Sequence, residues 1–207
     1  MQDRHMNRSR RQVLFVQGGG AGTHDQWDDK LVESLRRELG PDYEVGYPRM
    51  PNESDPQYDE WKASLEQQLE KLDDEAILVG HSLGGAILIK VLAEQSKKRR
   101  FGALFLVSAP FVGEGGWEGT GFDAPRDVAA RLDGPVYVYH GLDDTTAPPA
   151  HADLYERAIP HAHVHRLPGR DHQFGNDLGD VARAIRSVSV ARGEASRPKS
   201  PHGKPSA

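Results

Sequence analysis

One ten-residue stretch, at positions 76–85, constrains the fold more than any other part of the chain. It reads Ala-Ile-Leu-Val-Gly-His-Ser-Leu-Gly-Gly, so an apolar run ends at a serine with glycine two positions to either side. The first four residues are all apolar, which is typical of a parallel strand covered on both faces. Apolar residues then recur at helical spacing over residues 86–92. The pattern predicts a strand, a sharp turn at Ser82 and a helix.

Gly80 and Gly84 have a physical role in such a turn. A sharp strand-to-helix turn needs positions without side chains on both sides of the serine. The turn would lift the Ser82 hydroxyl clear of the sheet into a cleft, next to a helix start whose free N–H groups favour negative charge. Ser82 is therefore a candidate nucleophile, and the N–H of Leu83 is a candidate donor to an oxyanion. The alternative is a glycine-rich turn with an incidental serine.

Strand and helix patterns alternate along the rest of the chain. Residues 13–16, 43–50, 76–79, 101–107, 135–139 and 162–167 are the predicted strands. This alternation predicts an α/β fold, in which helices cover both faces of a mostly parallel sheet of about six strands in three layers. Ligands of such sheets lie beyond the carboxyl ends of the strands. A glycine-rich loop after the first strand and the polar loops after later strands share that edge.

Length and composition fit one domain. The chain has 207 residues, enough for one sheet and its covering helices. We predict a single domain over residues 12–191. The polar, basic residues 1–11 and the residues 192–207, which have three prolines and no large apolar side chain, predict a disordered arm and a disordered tail.

Composition also limits the partners. The formal net charge is −5, from 26 basic and 31 acidic side chains, which gives no support to nucleic acid binding. The chain has no cysteine, so disulfides, cysteine zinc sites and a thiol nucleophile are excluded. The lack of cysteine fits a cytoplasmic protein. No apolar run approaches the roughly 20 residues of a membrane span, and the oligomeric state stays open.

Three segments follow one another in an order that resembles the α/β-hydrolase superfamily. They are Gly-His-Ser-Leu-Gly-Gly at 80–85, His-Gly-Leu-Asp-Asp-Thr-Thr-Ala-Pro at 140–148 and Gly-Arg-Asp-His at 169–172. The ordered set, over about residues 12–190, is similar to the compact, capless, serine esterase-like members, which use serine, acid and histidine in this order. The resemblance implies a Ser-His-Asp triad that cleaves a small or medium acyl ester through an acyl-enzyme on Ser82, with no metal or cofactor.

Two alternatives to ester hydrolysis remain at this point. The same triad could act on a thioester or an amide, because the pocket loops decide which bond is cleaved. A catalytically idle hydrolase-fold protein that binds a partner is the other alternative, since a fold alone never guarantees activity.

His172 and one of three aspartates are the candidate partners of Ser82. A histidine can accept and return a proton near neutral pH, and His172 follows the last predicted strand, where the family places its base. Matching residues 140–148 to the family pattern selects Asp144 as the acid, with Asp143 as its rival. Asp171 is a weaker rival, because the side chains of adjacent residues diverge.

The glycine loop after the first strand is the expected source of the second oxyanion donor. Gly19 matches the family's donor, with Gly18 or Gly20 as a shift of one position. The loop begins with Gln17 instead of the commoner histidine, which leaves the donor open. It lacks the spacing of phosphate-binding glycine loops, so nucleotide binding is disfavoured.

Aromatic and histidine residues near this edge have two interpretations each. Trp27, Trp117 and Phe122 line an acyl pocket or take part in ordinary packing. The histidines at 161, 163 and 165 alternate along the sixth predicted strand, a spacing that suggests a metal site. No carboxylate partner is evident, so a partly exposed strand face is favoured. His81 is expected to turn away from Ser82 and to pack.

Overall fold

The structure is a computed structural model, and it describes residues 10–118, 121–122 and 127–195. The predicted disordered segments lie mostly outside the described residues, at 1–9 and 196–207. The first strand begins at Arg11 and the last helix reaches Ala195. Residues 192–195, which we expected in the disordered tail, are therefore helical. That residues 12–191 form a single domain stays a prediction.

Six strands form one sheet, in the order β2-β1-β3-β4-β5-β6. Every pairing between these strands is parallel. The α/β fold class predicted from the alternating pattern is confirmed. The strands are β1 (Arg11–Val16), β2 (Tyr43–Gly46), β3 (Ile77–His81), β4 (Ala103–Val107), β5 (Val136–Gly141) and β6 (His163–Leu167).

Helices cover both faces of the sheet. The α1 and α6 side chains pack on one face, and those of α2, α3, α4 and α5 pack on the other. The helices are α1 (Asp28–Leu39), α2 (Tyr58–Leu69), α3 (Ser82–Glu94), α4 (Val128–Arg131), α5 (Ala150–Ala158) and α6 (Gly179–Ala195). All residues of β3 and β4 are buried, because neighbouring strands and helix layers enclose both central strands.

Side chains of the central strand alternate between the two cores. Leu78 packs with α2 and α3, whereas Ile77 and Val79 pack with α1 and α6. Burial on both faces explains why the strand is apolar at successive positions instead of alternate ones.

The second strand is shorter than predicted. It pairs with β1 only as far as Gly46, whereas we predicted a strand over residues 43–50. The backbone N–H of Met50 instead donates to the side chain of Gln17, at 3.0 Å. A side-chain contact from the neighbouring loop therefore replaces the strand pairing. Two short turns were also not predicted, a π-helical turn at Thr23–Trp27 and a 3-10 turn at Phe174–Asn176.

Among the helices that the structure describes, none has the length and apolar character needed to cross a bilayer. The cytoplasmic location inferred from the cysteine-free sequence stays a prediction.

Candidate active site

The junction of β3 and α3 places Ser82 at the carboxyl edge of the sheet. β3 ends at His81 and α3 begins at Ser82, whose φ of 49° lies in the left-handed region that non-glycine residues rarely adopt. Contrary to the expected open cleft, the Ser82 residue is only 7% exposed. The glycine loop passes close above it, since a β-carbon built on Gly18 would lie 3.2 Å from the Ser82 β-carbon.

The two glycines that flank Ser82 allow close backbone contacts. A β-carbon on Gly80 would lie 2.5 Å from the Cα of Gly85. A β-carbon on Gly84 would lie 2.0 Å from the carbonyl oxygen of Gln17. Neither contact can be relieved by rotating a side chain, because the opposing atoms belong to the backbone. The absence of side chains at Gly80 and Gly84 thus allows α3 to approach β3 and the end of β1 closely.

Replacing Gly84 with alanine is expected to lower the free energy of unfolding by about 3 kcal/mol or more, because α3 must move away from the end of β1. Urea unfolding would measure the change. Gly46→Ala is the matched control, since the nearest atom to its added β-carbon is 3.7 Å away, and it is expected to change stability by less than about 1 kcal/mol. Equal effects at both positions would contradict the packing explanation.

Three loops bring Ser82, His172 and Asp144 into one chain of hydrogen bonds. The Nε2 atom of His172 lies 2.9 Å from Ser82 Oγ, and its Nδ1 atom lies 2.8 Å from Asp144 Oδ2. A carboxylate only accepts hydrogen bonds, so the proton of a neutral His172 ring belongs on Nδ1. Nε2 then carries a lone pair that faces the Ser82 hydroxyl.

Asp144 is held by backbone donors as well as by His172. Its Oδ1 atom accepts hydrogen bonds from the N–H groups of Thr146 and Ala147, both at 2.9 Å. Burial raises the pKa of Asp144, but the hydrogen bond from His172 and the two backbone N–H groups lower the pKa by more. The group is therefore ionised at neutral pH, with one oxygen reserved for the backbone and the other for His172.

The rival aspartates have other surroundings. The side chains of Asp143 and Asp171 are both exposed. Asp171 Oδ1 accepts a hydrogen bond from the N–H of Gly175 at 2.9 Å, within the turn that follows His172. Of the three aspartates, it is Asp144 that contacts the His172 ring.

Two of the three N–H groups of Gly18, Gly19 and Gly20, in the loop after β1, donate hydrogen bonds. The N–H of Gly18 donates to Asp28 Oδ2 at 2.8 Å, and the N–H of Gly20 donates to the carbonyl of Glu53 at 2.6 Å. The N–H of Gly19 makes no hydrogen bond to any residue that the structure describes. A β-carbon on Gly19 would meet the Leu83 side chain at 2.7 Å, so Gly19 lies against the start of α3.

Gln17 and Glu53 fix this loop in a way that the sequence did not indicate. Gln17 is fully buried, and its Nε2 donates to Glu53 Oε2 at 2.7 Å. Glu53 also accepts hydrogen bonds from the N–H groups of Gly22 and His24, at 3.1 and 3.0 Å. Gln17, which stands where the family more often has histidine, therefore anchors the loop to the segment after β2.

The three aromatic pocket candidates lie in different surroundings. Phe122 lines an apolar cavity of about 50 Å³. Trp117 places its ring edge-on to His151 at 6.4 Å, and Trp27 is 52% exposed with Lys30 Nζ 5.9 Å from its ring. Of the three candidates, Phe122 alone lines this cavity, whose walls are Ala86, Ile89, Phe111, Val112, Phe122, Val128, Tyr155 and Ala158.

His81 does more than the packing expected of it. Its Nδ1 atom lies 2.9 Å from Asp28 Oδ2, and its Nε2 atom lies 3.0 Å from the carbonyl oxygen of His172. Asp28 is buried at the start of α1. Sequence reasoning missed Asp28, since no local pattern marks a contact between residues 53 positions apart.

Two of the three alternating histidines lie in the edge strand, β6. His163 and His165 lie in β6 and stack on Tyr137 and Tyr139, with ring centroids 4.8 and 4.5 Å apart. His161 precedes the strand. Within the described part of the chain, no group of three His, Asp or Glu side chains could hold a metal ion.

A family model described as serine hydrolase matches residues 13–155, which is more than half of the chain. The chain belongs to the serine hydrolase family. The serine hydrolase predicted from the ordered motifs is thereby confirmed at family level. The residues of this hydrolase that the family model matches include Ser82 and Asp144 and end before His172.

Solved structures share the fold of this hydrolase. The ydeN gene product from B. subtilis is 18% identical, with a TM-score of 0.71 over 87% of this chain and 99% of that chain. Est1E from Butyrivibrio proteoclasticus, solved with ferulic acid bound, is 16% identical, with a TM-score of 0.67 over 91% and 92%. At such identities the likeness shows the α/β-hydrolase fold alone. The search of the curated proteins found no significant match.

Proposed function

We propose that this hydrolase cleaves a small or medium acyl ester through an acyl-enzyme on Ser82, with His172 as general base and Asp144 as the acid of a catalytic triad. The observation that carries the proposal is the chain of two hydrogen bonds, 2.9 Å from Ser82 Oγ to His172 Nε2 and 2.8 Å from His172 Nδ1 to Asp144 Oδ2. Such an arrangement matches the requirement of a weak hydroxyl nucleophile for an adjacent, oriented base.

Each step of the reaction has a proton carrier in this arrangement. Ser82 Oγ attacks the acyl carbon while Nε2 of His172 takes the hydroxyl proton, and Asp144 stabilises the resulting imidazolium. The same Nε2–H then protonates the departing alkoxide, which leaves as an alcohol. Water repeats the cycle on the acyl-enzyme: His172 takes a proton from the water, the carboxylic acid leaves, and Ser82 regains its hydrogen.

The N–H groups of Gly19 and Leu83 are the proposed oxyanion donors. Two observations support this assignment. The N–H groups of Gly18 and Gly20 already donate to other acceptors, and Gly19 lies against the Leu83 side chain. Leu83 lies in the first turn of α3, whose N–H groups have no intrahelical acceptor. Losing one such donor typically lowers kcat by about 10²–10³-fold.

The apolar cavity is the proposed binding site of the acyl chain. Ala86, one of its lining residues, stands one helical turn after Ser82 on α3 and therefore on the same side of the helix. The side chains that line the cavity are almost all apolar, which suits contact with the methylene groups of an acyl chain. Phe122 is proposed as an acyl-contacting residue, and pocket roles for Trp27 and Trp117 stay predictions.

Fluorophosphonate labelling tests the nucleophile. We expect one covalent adduct per folded chain, which peptide mapping by mass spectrometry would locate on Ser82. Ser108 is an internal control, because it directly follows the neighbouring strand β4 with a φ of 48° but is fully buried and is expected to stay unlabelled. Hydrolysis of a p-nitrophenyl ester without any Ser82 adduct would contradict the proposal.

Matched substrates test which bond is cleaved. A butyryl ester, a butyryl thioester and a butyryl anilide differ only in their leaving group. The highest kcat/KM is expected for the ester, whereas a higher value for the thioester or the anilide would favour that alternative. A labelled Ser82 with turnover of none of the three would favour a binding protein with an idle triad.

A further inference from the structure

A second histidine–carboxylate pair, Asp28 and His81, lies next to the proposed triad. Asp28 and His81 are both buried, with exposures of 0% and 2%. His81 Nδ1 lies 2.9 Å from Asp28 Oδ2, and His81 Nε2 lies 3.0 Å from the backbone carbonyl oxygen of His172. The pair therefore contacts the backbone of the proposed base without contacting its ring nitrogens.

The hydrogen-bond partners indicate the charge of each member. Both ring nitrogens of His81 face oxygen atoms that only accept, so both nitrogens carry hydrogen and the ring is an imidazolium. Asp28 accepts hydrogen bonds from Gly18 N–H at 2.8 Å, from His81, and from Gln173 Nε2 at 3.2 Å. Three donors around one carboxyl group indicate the ionised form.

Burial and charge act in opposite directions on this pair. Burial lowers the pKa of His81, but the charge of Asp28 and the hydrogen bond to it raise the pKa by more, with a smaller contribution from Asp144. Burial likewise raises the pKa of Asp28, whereas His81 lowers it to below the usual value. The His172 ring lies 5.2 Å from the His81 ring, and the pairing with Asp28 neutralises the His81 charge beside it.

We propose that Asp28 and His81 are positioning residues, which hold three active-site segments in register through one buried ion pair. Asp28 binds the loop of Gly18, whose next residue is a proposed oxyanion donor. His81 precedes the nucleophile and binds the backbone of His172. The inference rests on the proposed function, since the register matters only if Ser82, His172 and the loop act together.

Stability alone does not account for such a pair. Replacing a buried ion pair with apolar side chains of similar volume is often neutral or stabilising. The hydrogen bonds of this pair end on active-site backbone and side-chain groups instead. Displacements of about 1 Å in a reacting group can lower rates by about 10²-fold, so the register of these segments has a large effect on the reaction.

Asp28→Asn tests the proposal, because asparagine keeps the shape and removes the charge. We expect kcat for a p-nitrophenyl ester to fall by about 10–100-fold, with KM changed by less than about 3-fold, since no substrate contact is lost. Val32→Ala, one turn along the same helix and buried in the α1 core, is the control for loss of stability. It is expected to keep kcat within about 2-fold at temperatures below its Tm.

Proton and nitrogen NMR of the histidine rings provides a readout that needs no turnover. At pH 7, wild-type His81 is expected to be an imidazolium and His81 of Asp28→Asn to be neutral. The downfield Nδ1–H resonance of His172, bonded to Asp144, is expected to be sharp in wild type and weak or broadened in the variant. A neutral His81 in wild type would overturn the proposed ion pair without any variant.

Two further outcomes separate this inference from the proposed function. An Asp28→Asn variant with unchanged kcat and an unchanged His172 resonance would overturn the positioning role while the triad stands. Wild-type protein that neither hydrolyses esters nor labels at Ser82 would overturn the proposed function. In that case the loss or retention of the His172 resonance in Asp28→Asn still decides whether the pair positions the ring.

Discussion

Ser82→Ala is expected to lower kcat/KM for p-nitrophenyl esters by about 10⁴–10⁶-fold. The change removes the only atom of Ser82 that can form the acyl-enzyme. The proposed oxyanion donors, Gly19 and Leu83, would still be present to bind the carbonyl oxygen of the substrate, so a small residual rate above that in water is expected. A steady-state assay with enzyme purified apart from any wild-type protein would measure the loss.

The fold is expected to tolerate this substitution. Alanine and serine are similarly strained at a φ of 49°, and the lost hydrogen bond to His172 contributes about 1 kcal/mol. For a chain of this length, Tm is then expected to stay within about 4 °C of wild type. Ser108→Ala is the matched control, with kcat/KM expected within about 2-fold. A Ser82→Ala enzyme that keeps a tenth of the wild-type rate would exclude Ser82 as the nucleophile.

The central part of the fold was predictable because burial on two faces leaves a local mark. β4 is apolar at every position and β3 at its first three, and the helix between them, α3, shows apolar spacing of three and four residues. The end of β2 was predicted too late, at residue 50. Pro48 has no N–H to donate to a neighbouring strand and was a local sign of an earlier end, whereas the hydrogen bond from the backbone N–H of Met50 to Gln17 leaves no periodic pattern.

The residues of the candidate site also differ in whether a local sequence pattern could predict them. Ser82, Asp144 and His172 could be selected because each lies in a recognisable motif directly after a predicted strand. Asp28 and Glu53 could not, since their importance arises from hydrogen bonds to Gly18, Gly22 and other backbone groups far along the chain. A carboxylate in the first turn of a helix or in a loop is common and predicts no particular partner.

Proposing Gly19, and not Gly18 or Gly20, as an oxyanion donor also depends on hydrogen bonds between residues far apart in the sequence. The sequence environments of the three glycines are nearly identical, so the motif alone left a shift of one position open. In the structure, the N–H of Gly18 donates to Asp28 and the N–H of Gly20 donates to the Glu53 carbonyl. These two acceptors are what distinguish Gly18 and Gly20 from Gly19.

Asp144→Asn is expected to lower kcat by about 10⁴-fold, through the tautomer of His172. Oδ1 of Asp144 accepts two backbone N–H groups, so the amide oxygen of asparagine must take that side. Its NH₂ group then faces Nδ1 of His172, which must accept instead of donate. The ring proton moves to Nε2, where it faces Ser82 Oγ and prevents the ring from taking the serine proton.

Asp143→Asn is the control that isolates this effect. It makes the same chemical change one residue earlier, on an exposed side chain, and is expected to keep kcat within about 2-fold. NMR of the His172 ring would show the Nδ1–H resonance in wild type and in Asp143→Asn, and its loss in Asp144→Asn. If Asp143→Asn caused the larger loss of kcat, the acid would be Asp143, and the hydrogen bond of 2.8 Å between Asp144 and His172 would have a structural role only.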